Sequence, residues 1–185
     1  ARPDLPVTQA MLGCALARAG QVPQAIPHLR EAVASNPLDG NAARLLFQAL
    51  GDGKDAALAS LNLADALRDS GELEHAVASY RSALDEFQRR QDRPRIAASL
   101  AGIGSVMALR GPSEDAARLL AAVRNAAADD EVAHDVDLTR LDADAASLRK
   151  ALGDDAFARV WEAGTRLSLE DAIAALSPAL REDRI

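Results

Sequence analysis

Aromatic residues are scarce in this chain of 185 residues, which contains three phenylalanines, one tryptophan and one tyrosine. Aromatic side chains are enriched in the anchor pockets of tight interfaces, so their scarcity argues against a strong anchor pocket. Alanine and leucine carry most of the apolar share, and both are strong helix formers. The composition therefore favours helices that pack closely through small residues.

Cysteine is also scarce, since Cys14 is the only one in the chain. A single thiol excludes an internal disulfide framework, and we expect Cys14 to pack in a core. No apolar run reaches the roughly 20 residues of a membrane span, and the N-terminus lacks the order of a signal peptide. These absences predict a cytoplasmic protein that does not interact with a membrane.

Basic surface is limited too, because the formal net charge is −7. The densest basic stretch, from Arg89 to Arg95, is interrupted by an acid and by Pro94. Nucleic-acid binding proteins concentrate lysine and arginine on one face. The charge pattern therefore predicts no direct contact with nucleic acid.

Motifs for catalysis and for metal or cofactor binding are missing. The sequence GDGK at 51–54 lacks the glycine spacing of a phosphate-binding loop, and no serine lies in a nucleophile motif. The three histidines, His28, His75 and His134, are too far apart in sequence for a metal motif. The acidic clusters at 129–137 and 142–144 lack the glycine and glutamate of a calcium loop. We therefore expect that the protein is not an enzyme and that it binds neither a cofactor nor a metal ion.

A self-similar pattern occurs three times, and this is the main signal in the sequence. The three stretches read MLGCALARAGQVPQAIPHLREAVASNP, NLADALRDSGELEHAVASYRSAL and GIGSVMALRGPSEDAARLLAAV. Each carries large apolar residues, small residues and a glycine at the same offsets. The positions are Leu12, Gly13, Leu16, Gly20, Ala25, Leu29 and Ala32; Leu63, Ala64, Leu67, Gly71, Ala76, Tyr80 and Ala83; and Ile103, Gly104, Met107, Gly111, Ala116, Leu120 and Val123.

This spacing predicts a helical hairpin in each stretch. The glycine ends the first helix with a positive φ, and the alanine in the second helix lets the two backbones approach. The large residue four positions after that alanine is expected to face the next repeat. One hairpin cannot bury both of its faces, so the pattern predicts an all-α solenoid of stacked hairpins.

The landmark residues resemble the motif of the tetratricopeptide family, repeated over roughly half of the chain, although Gln9 stands where the family's opening tryptophan would fall. The resemblance implies a superhelical scaffold for protein–protein interaction. It also implies that the first helices line a concave groove for an extended or helical peptide. Some members use a lysine and asparagine clamp for a partner's terminal carboxylate, and this chain does not reproduce that clamp.

The spacing between copies suggests three parts. Residues 1–50 hold one hairpin and an extra helix, NAARLLFQAL, at 41–50. Residues 51–128 hold two further hairpins with extended second helices, the first followed by a break at Pro94. Residues 129–185 hold helices that are expected to cap the last apolar face of the solenoid.

Three helices are predicted in that last part. The first covers 136–152 and stops at Gly153, and the next starts with Asp154 or Asp155 as its cap. The third begins at a capping box, in which Ser168 precedes Asp171 by three residues.

Phe157 and Trp161 share one face of the second of these helices, because they are four residues apart. We expect this pair to cover the core. A contact in a homodimer is the alternative.

The segment ALGDDAFARVWEAGTRLSLEDAIAAL resembles the end of the helical-repeat region in large bacterial signalling regulators. Those proteins join a nucleotide-binding switch domain to a DNA-binding output domain. The resemblance implies that residues 51–185 are the sensor end of such a transcriptional regulator, and we expect the chain to be a piece of it. A free-standing adaptor or assembly factor is the alternative.

The candidate site is the set of outward-facing positions on the first helices of the hairpins. We expect these side chains to bind a protein or peptide partner. The residues are Arg18, Leu58, Leu61, Asp65, Arg68, Asp69, Ser105 and Leu109.

Overall fold

A computed structural model describes residues 11–13, 15–16, 22–35 and 54–179. Within these ranges all regular structure is α-helical, which confirms the predicted all-α class. The helices are α1 (Val22–Ser35), α2 (Lys54–Ser70), α3 (Leu73–Arg89), α4 (Arg93–Arg110), α5 (Glu114–Ala126), α6 (Asp130–Ala133), α7 (Leu138–Leu152), α8 (Asp154–Thr165) and α9 (Leu169–Ala179). None of these described helices is long and apolar enough to cross a membrane.

Two compact units divide the chain, one covering Ala1–Arg89 and the other Arg90–Ile185. The three parts predicted from the repeat spacing stay a prediction. Cys14, Arg18 and the helix predicted at 41–50 lie outside the described residues.

In the first unit α2 and α3 form a hairpin that turns at Gly71. Its φ of 86° confirms the predicted positive value. The Gly71 N–H donates to the Arg68 carbonyl at 3.1 Å, and the Glu72 N–H donates to the Leu67 carbonyl at 2.8 Å. This pair of bonds is a Schellman motif, which satisfies the last carbonyls of α2. The inner face of α3 is fully buried, with Ala76, Tyr80, Ala83 and Phe87 all at 0% exposure.

The small residue of the first helix lies against the large residue of the second helix in its own hairpin. A Cβ atom added to Gly13 would lie 2.8 Å from Cγ of Leu29, and one added to Gly104 would lie 2.6 Å from Cδ2 of Leu120. The large residue was expected to face the next repeat. In these two hairpins the leucine packs on the small residue of its own hairpin, where glycine leaves room for the end of its side chain, and a contact with the next repeat stays a prediction.

In the second unit α4 and α5 form a hairpin, and α5 is its central helix. Contacts to α5 come from α4, α7, α8 and α9. The helix α8 comes close to α5, where a Cβ atom at Gly164 would meet the Arg118 carbonyl and lie 2.6 Å from Cβ of Ala121. Ala117, Ala121 and Ala122 are all at 0% exposure, because several helices pack on α5.

The predicted helix boundaries in the second unit are largely confirmed. Gly153 ends α7 with a φ of 83°, as predicted. The prediction that Asp154 or Asp155 caps α8 is wrong, because Gly153 is also the N-cap residue of α8 and offers no side chain. The capping box is confirmed, since Ser168 Oγ accepts from the Asp171 N–H at 3.0 Å and donates to Asp171 Oδ2 at 2.8 Å.

Candidate functional site

The predicted groove residues on α2 form one stripe of that helix. Leu58, Leu61 and Asp65 are half-buried, and Asp69 is exposed. Their spacing of three or four residues places them on the same side of the helix. We call these four residues the α2 face.

Arg68 does not belong to this open face. The prediction that its side chain faces outward is wrong, because only 8% of the residue is exposed. A charged side chain is buried at this level only when it is paired and hydrogen-bonded, and the partners of Arg68 explain its position.

Arg68 and Tyr80 form a buried network with the α2 face. Nη1 of Arg68 donates to Asp65 Oδ1 at 2.8 Å and to the Tyr80 hydroxyl oxygen at 2.7 Å, and its Nε donates to Asp69 Oδ1 at 3.0 Å. The Tyr80 hydroxyl donates to the same Asp65 Oδ1 at 2.6 Å. Two buried donors therefore fix one oxygen of a carboxylate whose side chain is 47% exposed.

Burial and charge both act on the titration of this network. Burial raises the pKa of the Tyr80 phenol well above its ordinary value, and the neighbouring Asp65 carboxylate raises it further. Burial alone would lower the pKa of Arg68, but Tyr80, Asp69 and Asp65 offset that effect and the net shift is upward. Tyr80 is thus a neutral donor and Arg68 a cation at any physiological pH.

The network itself was not predicted from the sequence. One signal was available, because Tyr80 occupies the position that is leucine in the other two copies, Leu29 and Leu120. A buried tyrosine hydroxyl requires a hydrogen-bond partner, and the acids and the arginine of α2 were the nearest candidates.

The two predicted groove residues on α4 have different environments. Leu109 is 55% exposed, as expected for an outward-facing position. Ser105 is only 2% exposed, and its hydroxyl donates to Asp144 Oδ2 on α7. The outward orientation predicted for Ser105 is therefore wrong, because α7 lies over that position.

The aromatic pair of α8 lies beside an open hollow of the second unit. The rings of Phe157 and Trp161 stack with centroids 5.1 Å apart, which confirms that they share a face. The rim includes an ion pair between Arg149 Nε and Asp154 Oδ1 at 2.5 Å. Both residues are only half-buried, and the predicted role of the pair in covering the core stays a prediction.

The described residues contain no group of three or more histidine, cysteine or acidic side chains that could hold a metal ion. Several acids of the clusters noted above have structural contacts. Asp129 and Asp137 cap α6 and α7, Asp135 pairs with Arg95 at 3.7 Å, and Asp142 pairs with Arg124 at 3.3 Å.

Comparisons with known proteins add no relative, since no family model, curated protein or solved structure matches the chain. The fold and site define an all-α protein with helical hairpins and one half-open face on α2. The resemblance to the tetratricopeptide family rests on the landmark residues alone.

Proposed function

We propose that this protein is a non-enzymatic protein–protein interaction module that binds a peptide or protein partner along the first helices of its hairpins. The observation that carries the proposal is the α2 face, where half-buried Leu58 and Leu61 adjoin the fixed carboxylate of Asp65. Peptide-binding surfaces combine apolar contact with a few oriented polar groups. This face has both.

The proposed setting is a bacterial regulatory protein in which the repeats act as the sensor region. Binding of a partner would then bias a neighbouring output domain, as the resemblance of residues 151–176 to signalling regulators suggests. The alternative is a free-standing adaptor or assembly factor made of repeats. A natural reading frame that continues into nucleotide-binding and DNA-binding domains supports the first setting and contradicts the second.

Site-specific photo-crosslinking in cells of the source organism tests the binding face. Benzoylphenylalanine replaces Leu61 on the α2 face in one variant and Ser82, an exposed residue of α3, in the matched control. We expect a discrete cross-linked species from position 61 and none from position 82. Identical products from both positions, or none from position 61, would contradict the proposal.

Substitution of Arg68 is not a suitable test of this face. An Arg68→Glu change would place a buried negative charge beside Asp65, Asp69 and Tyr80, and loss of folding would then imitate loss of binding. Leu61→Ser is a better loss-of-function variant, because the residue is half-buried and the change introduces no charge. Circular dichroism before each binding assay establishes that the variant is folded.

A further inference from the structure

The carboxylate of Asp65 is held in place before any partner arrives. Both of its network bonds end on Oδ1, one from buried Arg68 and one from fully buried Tyr80. The second oxygen, Oδ2, takes no part in this network, and nearly half of the side chain is exposed. An acceptor fixed in this way loses little conformational entropy when it binds a donor from outside.

The exposed charges in the same segment of the chain are negative. Between Leu61 and Glu74 the chain has four carboxylates and a single arginine or lysine, Arg68. Arg68 is only 8% exposed, so the charged side chains that this segment presents to solvent are carboxylates. Charge complementarity at an interface therefore calls for a cationic group on the partner.

We propose that Asp65 binds a lysine or arginine side chain of a partner segment. A nearby apolar side chain of the same segment packs on Leu58 and Leu61. Arg68 and Tyr80 are positioning residues, which act on the partner through Asp65. This inference rests on the proposed function and specifies the chemistry of the partner that the α2 face takes.

The helix geometry sets the spacing within the partner. Leu61 and Asp65 are four residues apart, which is about 6 Å along a helix with a rise of 1.5 Å per residue. Two residues of an extended strand span about 6.6 Å, and their side chains lie on the same side. The partner motif is therefore an apolar residue and a cationic residue two positions apart in an extended segment, or four apart in a helical one.

Selection from a phage-displayed library of random dodecamers on the full chain tests the inference. We expect the enriched sequences to carry lysine or arginine at that spacing from an apolar residue. The best sequence is then synthesised with a fluorescent label, together with a version in which norleucine replaces its cation. Anisotropy gives the Kd of both peptides.

Three variants distinguish a specific bond to Asp65 from general attraction between opposite charges. Asp65→Asn is expected to weaken binding of the cationic peptide about tenfold, because an ionic hydrogen bond is lost. Asp85→Asn removes the same charge from an exposed position of α3 and is expected to change the Kd by less than about twofold. Tyr80→Phe keeps the net charge and is expected to weaken binding about threefold by loosening Asp65.

The norleucine peptide distinguishes positioning from damage to the fold. It is expected to bind wild type, Asp65→Asn and Tyr80→Phe with the same Kd, since a purely structural defect would weaken both peptides. Enrichment without a cationic residue, or equal binding of the cationic peptide by wild type and Asp65→Asn, would overturn the inference. If the inference fails in this way but the photo-crosslinker at position 61 still yields a cross-linked partner, the proposed function stands. If position 61 yields no cross-linked partner, the inference and the proposed function both fail.

Discussion

Asp65 and Ser105 occupy the same place in two copies of the repeat motif, two residues after Leu63 and Ile103. In the first unit this position is half-open, and its side chain accepts hydrogen bonds from Arg68 and Tyr80 of the same hairpin. In the second unit it is buried, and its side chain donates to Asp144 of an added helix. A position in the motif therefore does not by itself determine whether a residue faces solvent.

The large residue of the second helix shows the same contrast. Tyr80 in the first unit reaches a carboxylate at the surface of its hairpin, whereas Leu120 in the second unit packs on Gly104 and has no polar atom. Leu120 belongs to α5, which is contacted by α4, α7, α8 and α9. Both large residues are fully buried, but only Tyr80 carries a polar group that needs a partner.

Exchanging the residue types at positions 65 and 105 tests this comparison, and it is expected to have the largest effect on stability. Ser105→Asp puts a carboxylate into a buried position beside Asp144, so we expect a loss of about 3–5 kcal/mol in the free energy of unfolding of the second unit. The reverse change, Asp65→Ser, is expected to cost about 2 kcal/mol in the first unit, because buried Arg68 and Tyr80 lose their shared acceptor. Hydrogen exchange followed by mass spectrometry measures both units separately. Equal losses would show that coverage by α7 does not matter.

Gly164→Ala tests how closely α8 covers α5. Helix propensity alone predicts a gain of about 1 kcal/mol, but the added methyl group meets the backbone carbonyl of Arg118, so we expect a net loss of about 2 kcal/mol. Gly104→Ala is the comparison variant, because it meets the movable end of Leu120 and is expected to cost less. Urea unfolding followed by circular dichroism gives both values, and a stabilised Gly164→Ala variant would contradict this packing.

Tyr80→Phe tests the network of the first unit, and we expect a loss of about 1–2 kcal/mol. The folded pKa of Tyr80 lies above its ordinary value of 10.0, so the folded state holds this proton more tightly than the unfolded state. The contribution of Tyr80 is therefore complete below pH 10 and is lost as the pH rises further. Wild-type stability should fall more steeply above pH 10 than that of the variant in urea titrations, and parallel slopes would refute the pKa shift.

Ser168→Ala is expected to have the smallest effect, about 1 kcal/mol, because it removes one capping box at the start of α9. Exchange should accelerate in α9 and remain unchanged in the α2–α3 hairpin. Ser168→Asn supplies a matched control, since asparagine also caps helices well. A loss with asparagine equal to the loss with alanine would mean that the cap bond is unimportant.

Much of the local structure could be predicted from the sequence because it depends on local chemistry. The glycine turns at Gly71 and Gly153 follow from the left-handed backbone that glycine tolerates. The capping box of Ser168 and the stacked pair on α8 follow from helical spacing alone. None of these features requires knowledge of which helix lies next to which.

Two of the errors concern contacts between different helices, whereas the error at the cap of α8 is local, because Gly153 takes the N-cap position. Burial of Ser105 depends on α7, whose Asp144 lies 39 positions after Ser105 in the sequence. Burial of Arg68 depends on the hydroxyl of Tyr80 in the next helix, whereas the repeat pattern predicted an outward-facing side chain. Of the candidate site, the α2 stripe was predictable from spacing, whereas the network behind it needed three-dimensional contacts.

The single tyrosine and the single tryptophan of the chain lie in different units. Tyr80 is fully buried in the first unit, and Trp161 is stacked on Phe157 in the second. The unlabelled protein therefore carries a separate near-ultraviolet chromophore for each half. Tyrosine absorbance and tryptophan emission can show whether the two halves unfold together. They can also show whether binding of a ligand to the first half changes the environment of Trp161 in the second.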